Sequence, residues 1–108
     1  MLKHVVMWQF MEHAEGKSKQ ENMAWVRQAL FDLKPIIPEL LSIEIGEDIG
    51  VGRDSYDMCL IMTFADSAAL DRYQHHPEHK KVSAYVSKVR SGRACVDFSF
   101  FENPQQGR

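Results

Sequence analysis

Tyr73 and His79 are the two side chains of this 108-residue chain best placed to move a proton. His79 stands on the stripe His79, Val82, Val86, Val89, whose spacing sets side chains on one face of a helix, and an apolar face packs inward. Tyr73 follows Ala69 and Leu70 on a stripe of its own, one turn before the break His76-Pro77. Two adjoining helical segments therefore offer a phenol and an imidazole to one interior. Desolvation keeps an imidazole neutral and able to take a proton from carbon next to a carbonyl, while a buried phenol can donate a hydrogen bond to the enolate oxygen that develops. The plainer reading is that the two groups bond to each other or to backbone and satisfy a half-polar core.

His4 is a third candidate, because it shares a strand face with Val6, Trp8 and Phe10. It can anchor a ligand, or it can hydrogen-bond across to a helix. His75, His76 and His79 lie within one turn, and imidazole suits zinc, copper or nickel. Adjacent His75 and His76 diverge on a helix, however, and no nearby Cys or well-placed carboxylate completes a tetrahedral set, so no metal is assigned. A magnesium ion loosely held on carboxylates stays an alternative. Gly46, Gly50 and Gly52 do not open a helix after a strand, as a phosphate loop requires, and read as turn residues. Trp8, Trp25 and Tyr85 read as core and interface. Lys80, Lys81, Lys88, Arg90 and Arg93 read as the solvated basic end of the second helix, which suits its dipole without an anionic partner.

The elements that position these residues follow from pattern. Leu2 to Phe10 alternates as a first strand. Ser18 with Glu21 has the form of a capping box, and Met23, Val26, Leu30 and Leu33 then recur at helical spacing until Pro35 and Pro38. Leu40 to Glu47 predicts a second strand, with Leu41, Ile43 and Ile45 on one face, and Tyr56 to Phe64 a third with a wholly apolar face. Asp66 is an N-cap for a helix that Pro77 interrupts, and Pro77 suits the first turn of a new segment running to about Val89. Arg93 to Phe101 predicts the last strand, and Asn103 to Arg108 a frayed tail.

The order is strand-helix-strand twice over, an α+β, ferredoxin-like βαββαβ arrangement of four antiparallel strands with helices on one face, spanning residues 1–102. The other face would carry Val5, Met7, Cys59, Ile61 and Thr63, a poor surface to leave in water. A homodimer joined through that face, a dimeric α/β barrel, is the expected remedy.

One domain fills a chain of this length, leaving no room for a separate cofactor domain, and no cofactor is expected. The formal charge of −2, with signs mixed along the sequence, gives no basic stripe for nucleic acid. Cys59 and Cys95 lie within strands and read as core or sheet thiols of a reduced protein, without a disulfide. The start runs straight into a strand, and no apolar run approaches the ~20 residues of a membrane span, so the expectation is a soluble, cytoplasmic protein.

Nearly the whole chain resembles the stress-responsive dimeric α/β-barrel family, to which a plant polyketide cyclase belongs. The resemblance rests on Lys3-His4-Val5-Val6, Ile36-Ile37-Pro38 and Thr63-Phe64, and above all on Tyr73-Gln74-His75-His76-Pro77-Glu78-His79, which looks like the family's Tyr-x-x-His-Pro-x-His. It implies a pocket between sheet and helices where Tyr73 and His79 promote an aldol-type cyclisation, with His4 in the pocket wall. A pocket histidine on the third strand is matched here by Met58, and a pocket tyrosine on the first helix by Leu30; both make the cavity less polar.

The leading reading is thus a dimer that binds a small carbonyl or aromatic compound in an apolar pocket walled by Met58, Leu30 and Trp8. Its chemistry, if it is an enzyme, is cofactor-free proton transfer leading to cyclisation or isomerisation. The alternatives are a non-catalytic stress-associated dimer in which these residues stabilise the core, and a cofactor-free monooxygenase.

Overall fold

Leu2–Phe10 (β1) forms the inner strand around which the sheet is built, and its period-two pattern buries Leu2, His4, Val6, Trp8 and Phe10 on one side. A computed structural model describes residues 1–101; the tail expected from Asn103 onward lies outside the described residues. After β1 come a short hairpin, His13–Ala14 (β2) and Lys17–Ser18 (β3), then a helix, Lys19–Phe31 (α1). Ser42–Glu47 (β4) and Met58–Phe64 (β5) follow, then Ser67–His75 (α2), Pro77–Val89 (α3) and Arg90–Ser99 (β6). The main sheet has the order β4-β5-β1-β6 with every neighbouring pair antiparallel, and the fold is ferredoxin-like α+β.

Several boundaries differ from the pattern. The second strand starts at Ser42, because buried Leu40 belongs to the turn after α1 and Leu41 is exposed rather than facing inward with Ile43 and Ile45. The third starts at Met58, and the last starts at Arg90, directly at the C-cap of α3, so Arg90 and Arg93 are strand residues and not a helix end. The β2–β3 hairpin was not legible: it is two residues per strand, closed by Glu15 and Gly16, both with positive φ. That pair of left-handed residues is what a two-residue hairpin turn needs, and glycine supplies it without strain.

The core lies between the sheet and the helices, contributed by Met23, Val26 and Leu30 of α1, Ala69, Leu70 and Tyr73 of α2, and Val82, Val86 and Val89 of α3. Ser18 and Glu21 complete the capping box on α1, and Asp66 caps α2 through the Ala69 amide. One buried polar group ties the helices together. Asn22 donates to the Ala14 carbonyl at 3.0 Å and accepts from Tyr85 Oη at 2.6 Å, which locks α1, α3 and the hairpin in one register.

β6 reverses the usual distribution. Its apolar residues Ala94, Val96 and Phe98 pair in register with Met7, Val5 and Lys3 on the open face of the sheet, where Met7, Val96 and Phe98 are exposed. Its polar residues Arg93, Cys95 and Asp97 stand opposite Trp8, Val6 and His4 on the helix side. Cys95 is accordingly exposed at the sheet edge rather than in the core, Cys59 is half-buried, and both are free thiols. No helix among the described residues is long and apolar enough to cross a membrane.

Asn22→Ala removes an acceptor and a donor from a fully buried site, so it should lower the unfolding free energy by about 2–3 kcal/mol, against about 1 kcal/mol for Ser18→Ala at the exposed cap. Urea denaturation of the two variants checks the order; equal small losses would contradict the role of Asn22.

Candidate functional site

The break between α2 and α3 sets the site. Pro77 cannot extend α2, and the His76 side chain caps α3 by accepting from the Glu78 amide at 3.1 Å. The Gln74 carbonyl, which would otherwise take that amide in a continuous helix, instead accepts from His79 Nδ1 at 3.1 Å. A neutral His79 therefore carries its proton on Nδ1 and leaves Nε2 as the acceptor. His75 is directed elsewhere, its Nδ1 donating to the Asp71 carbonyl, so the three neighbouring histidines serve three separate backbone partners.

The tilted rings of Tyr73 and His79 stand 4.5 Å apart between centroids, and Phe64 backs Tyr73 at 5.1 Å. Among the described residues no hydrogen bond joins the Tyr73 hydroxyl to His79. Burial pushes the Tyr73 phenol up, so it remains a donor across the accessible pH range. Burial also holds His79 below the ordinary histidine range; its bond to Gln74 opposes that shift, and the neighbouring His4, Arg93 and His76 reinforce it.

Both residues line one cavity of about 130 Å³, roofed by α3 through Val82, Ser83, Val86 and Ser87 and floored by β1 through His4, Val6 and Trp8. Leu30 closes the α1 side, Leu60 the β5 side, and Arg90 and Arg93 the β6 side. Five of the six expected site residues, Tyr73, His79, His4, Leu30 and Trp8, therefore meet in one place. Met58 does not. It pairs with Trp8 from β5, on the side away from β6, and is buried outside this cavity, so Leu60 rather than Met58 supplies the wall on that strand.

His4 is held by a partner that the sequence did not disclose. Its Nδ1 donates to Asp97 Oδ1 from the opposite position on β6, so a neutral His4 also keeps Nε2 as its acceptor. Cys95 Sγ lies 3.7 Å from the same carboxylate oxygen and 3.9 Å from His4 Nδ1. Burial and the Asp97 carboxylate push this thiol up, which favours its protonated form. His4, Cys95 and Asp97 form the one group among the described residues whose ligand atoms lie close enough to share a metal, within 4.8 Å, but the His4–Asp97 hydrogen bond occupies two of those atoms. Trp8 adds a buried Nε1–H with no acceptor among the described residues.

The family model for the stress-responsive A/B barrel domain matches residues 2–100. The chain belongs to this family. No curated protein sequence matches it. Among solved structures, this stress-responsive A/B barrel protein is similar to a dimeric ferredoxin-like protein of unknown function from Jannaschia sp. CCS1, at 28% identity and TM-score 0.73 over 92% of this chain and 98% of that one. It is similar also to a dimeric ferredoxin-like protein from Bacteroides fragilis, at 24% identity and TM-score 0.75 over 92% and 95% of the two chains. A hydroxynitrile lyase from Passiflora edulis shares the fold at 15% identity and TM-score 0.77 over 94% of each chain.

Because the folded pKa of His79 lies below that of the unfolded chain, near 6.5, the unfolded state takes up the proton first as pH falls. The His79 contribution to stability is therefore intact above about pH 6.5 and declines below it toward the folded pKa. His79→Leu should gain on the wild type as pH is lowered from about 7.5 to about 5. A stability difference between the two that does not change with pH, measured by denaturant unfolding, would contradict the desolvated imidazole.

Proposed function

We propose that this barrel protein binds a small carbonyl or aromatic compound between Tyr73 and His79 and catalyses cofactor-free proton transfer at the carbon next to the carbonyl. The observation that carries this reading is the convergence, in one cavity, of a phenol that burial holds in its protonated form and an imidazole that burial holds toward its neutral form, its Nε2 without a backbone partner among the described residues. His79 takes the proton, Tyr73 donates to the enolate oxygen, and His4, fixed by Asp97, anchors a second polar group of the ligand. An apolar cavity of about 150 Å³ holds benzene, so the space here suits one ring or a short-chain ketone. The His79 imidazolium then returns the proton to another carbon of the enolate, which gives isomerisation. Alternatively, the enolate carbon attacks a second carbonyl of the same molecule and the imidazolium protonates the new alkoxide, which gives an aldol-type ring closure.

The active form in this reading is a homodimer joined across the open face of the sheet. Val5, Met7, Val96 and Phe98 stand there as a continuous apolar patch, and the Jannaschia and Bacteroides proteins are dimeric. A core-stabilising role for His79 is the second reading, and the bond to Gln74 is what favours it.

Exchange of the carbon-bound proton in deuterated water, followed by NMR on small β-diketones and hydroxyphenyl ketones, tests the chemistry whatever the final product. Wild type should accelerate exchange, His79→Gln should lose about 100-fold or more of that acceleration, and Tyr73→Phe about 10–100-fold. Unchanged exchange in folded variants would leave only the structural role. Phe98→Asp should sediment as a monomer, since it places a charge within the apolar patch; a Phe98→Asp dimer would move the interface elsewhere.

A further inference from the structure

Arg93 and Trp8 are a directly opposed pair on β6 and β1, and both line the same cavity from the same face of the sheet. Side chains so paired stand within about 5 Å at their Cβ atoms, close enough to serve one ligand group. Trp8 Nε1–H is a buried donor without an acceptor among the described residues, an arrangement that costs free energy unless something accepts from it. Arg90 stands beside them at the start of β6.

The electrostatics of this corner differ from those of the whole chain. Among the described residues neither Arg90 nor Arg93 has an acidic side chain within 4 Å, and both line the cavity. No Asp or Glu among the described residues lines the cavity, and the Asp97 carboxylate is taken by His4. A chain of net charge −2 thus sets two guanidiniums, with no acidic partner among the described residues, around one small cavity that Trp8 also lines.

We infer that the ligand of this cavity is a carboxylic acid, its carboxylate seated on the guanidinium of Arg93 and the Nε1–H of Trp8 while its ring or ketone lies against Tyr73 and His79. This rests on the pocket reading proposed above and adds the class of ligand. Carboxylate is favoured because the planar guanidinium fork matches its two oxygens. Arg93 is exposed at the mouth, so the anion keeps part of its hydration and its burial costs little, while the roughly 130 Å³ interior is left for the uncharged part of the molecule.

Titration calorimetry with matched pairs, benzoate against methyl benzoate and 4-oxopentanoate against its methyl ester, tests this on wild type, Arg93→Leu and Trp8→Phe, with inorganic phosphate as a further probe. Wild type should bind each acid about tenfold or more tighter than its ester. Arg93→Leu, at an exposed position, should erase that preference by weakening acid binding about tenfold or more beyond any loss in ester binding; Trp8→Phe, which keeps the ring and removes the N–H, should reduce it. Equal binding of acid and ester to wild type, or a preference that survives in Arg93→Leu, overturns the inference and leaves the pocket reading standing. Phosphate binding as tightly as benzoate overturns the assignment to carboxylates. Failure of every acid and ester to bind overturns the pocket reading and the inference together.

Discussion

The hydrogen bond from His79 to the Gln74 carbonyl is the interaction on which the site depends. It exists because the chain breaks between α2 and α3: Pro77 ends one helix, the His76 ring caps the next by satisfying the Glu78 amide, and the carbonyl so released has to be satisfied from elsewhere. The side chain that answers it is fixed in tautomer, with Nε2 left as its acceptor, and its ring lines the cavity beside Tyr73. A local requirement of helix termination thereby fixes which nitrogen of this imidazole can accept. Had α2 and α3 formed one helix, Gln74 would have been satisfied within it, and the imidazole would have had no such constraint.

The second constraint is the inverted edge strand. β6 turns its apolar residues to the open face and its polar ones toward the helices, which brings Asp97 against His4 and Arg93 against Trp8. The buried imidazole of His4 needs a partner, and this edge strand supplies one in Asp97. The same inversion leaves Val96 and Phe98 in water unless another surface covers them, so the exposed apolar face and one wall of the cavity come from the same strand. Asn22, with Tyr85 and the hairpin carbonyl, holds α1 and α3 at the spacing that keeps the cavity open between them and the sheet.

What could be read from the chain is what local spacing encodes. The period-two pattern of Leu2–Phe10, the Ser18–Glu21 box, the Asp66 cap and the position of Pro77 each express a rule spanning a few residues, and each appears in the structure. Tyr73 and His79 were legible for the same reason, since helical periodicity alone places them on inward faces. Asp97 and Arg93 were not, because their roles depend on pairing with His4 and Trp8 some ninety residues earlier, and alternation within β6 does not say which face is covered. Arg90 and Arg93 looked like a helix end because the helix passes into the strand without a turn residue. Met58 faces inward as its strand pattern requires, yet it is Leu60, two residues along the same face of β5, that lines the cavity, a distinction set by position along the strand rather than by period.

The most direct test of this account is the protonation pattern of His79, read from long-range proton–nitrogen NMR correlations of the imidazole ring near neutral pH. A helix break that dictates the base predicts a neutral ring with its proton on Nδ1 and a bare Nε2. An Nε2–H tautomer, or a ring already charged at that pH, would contradict it.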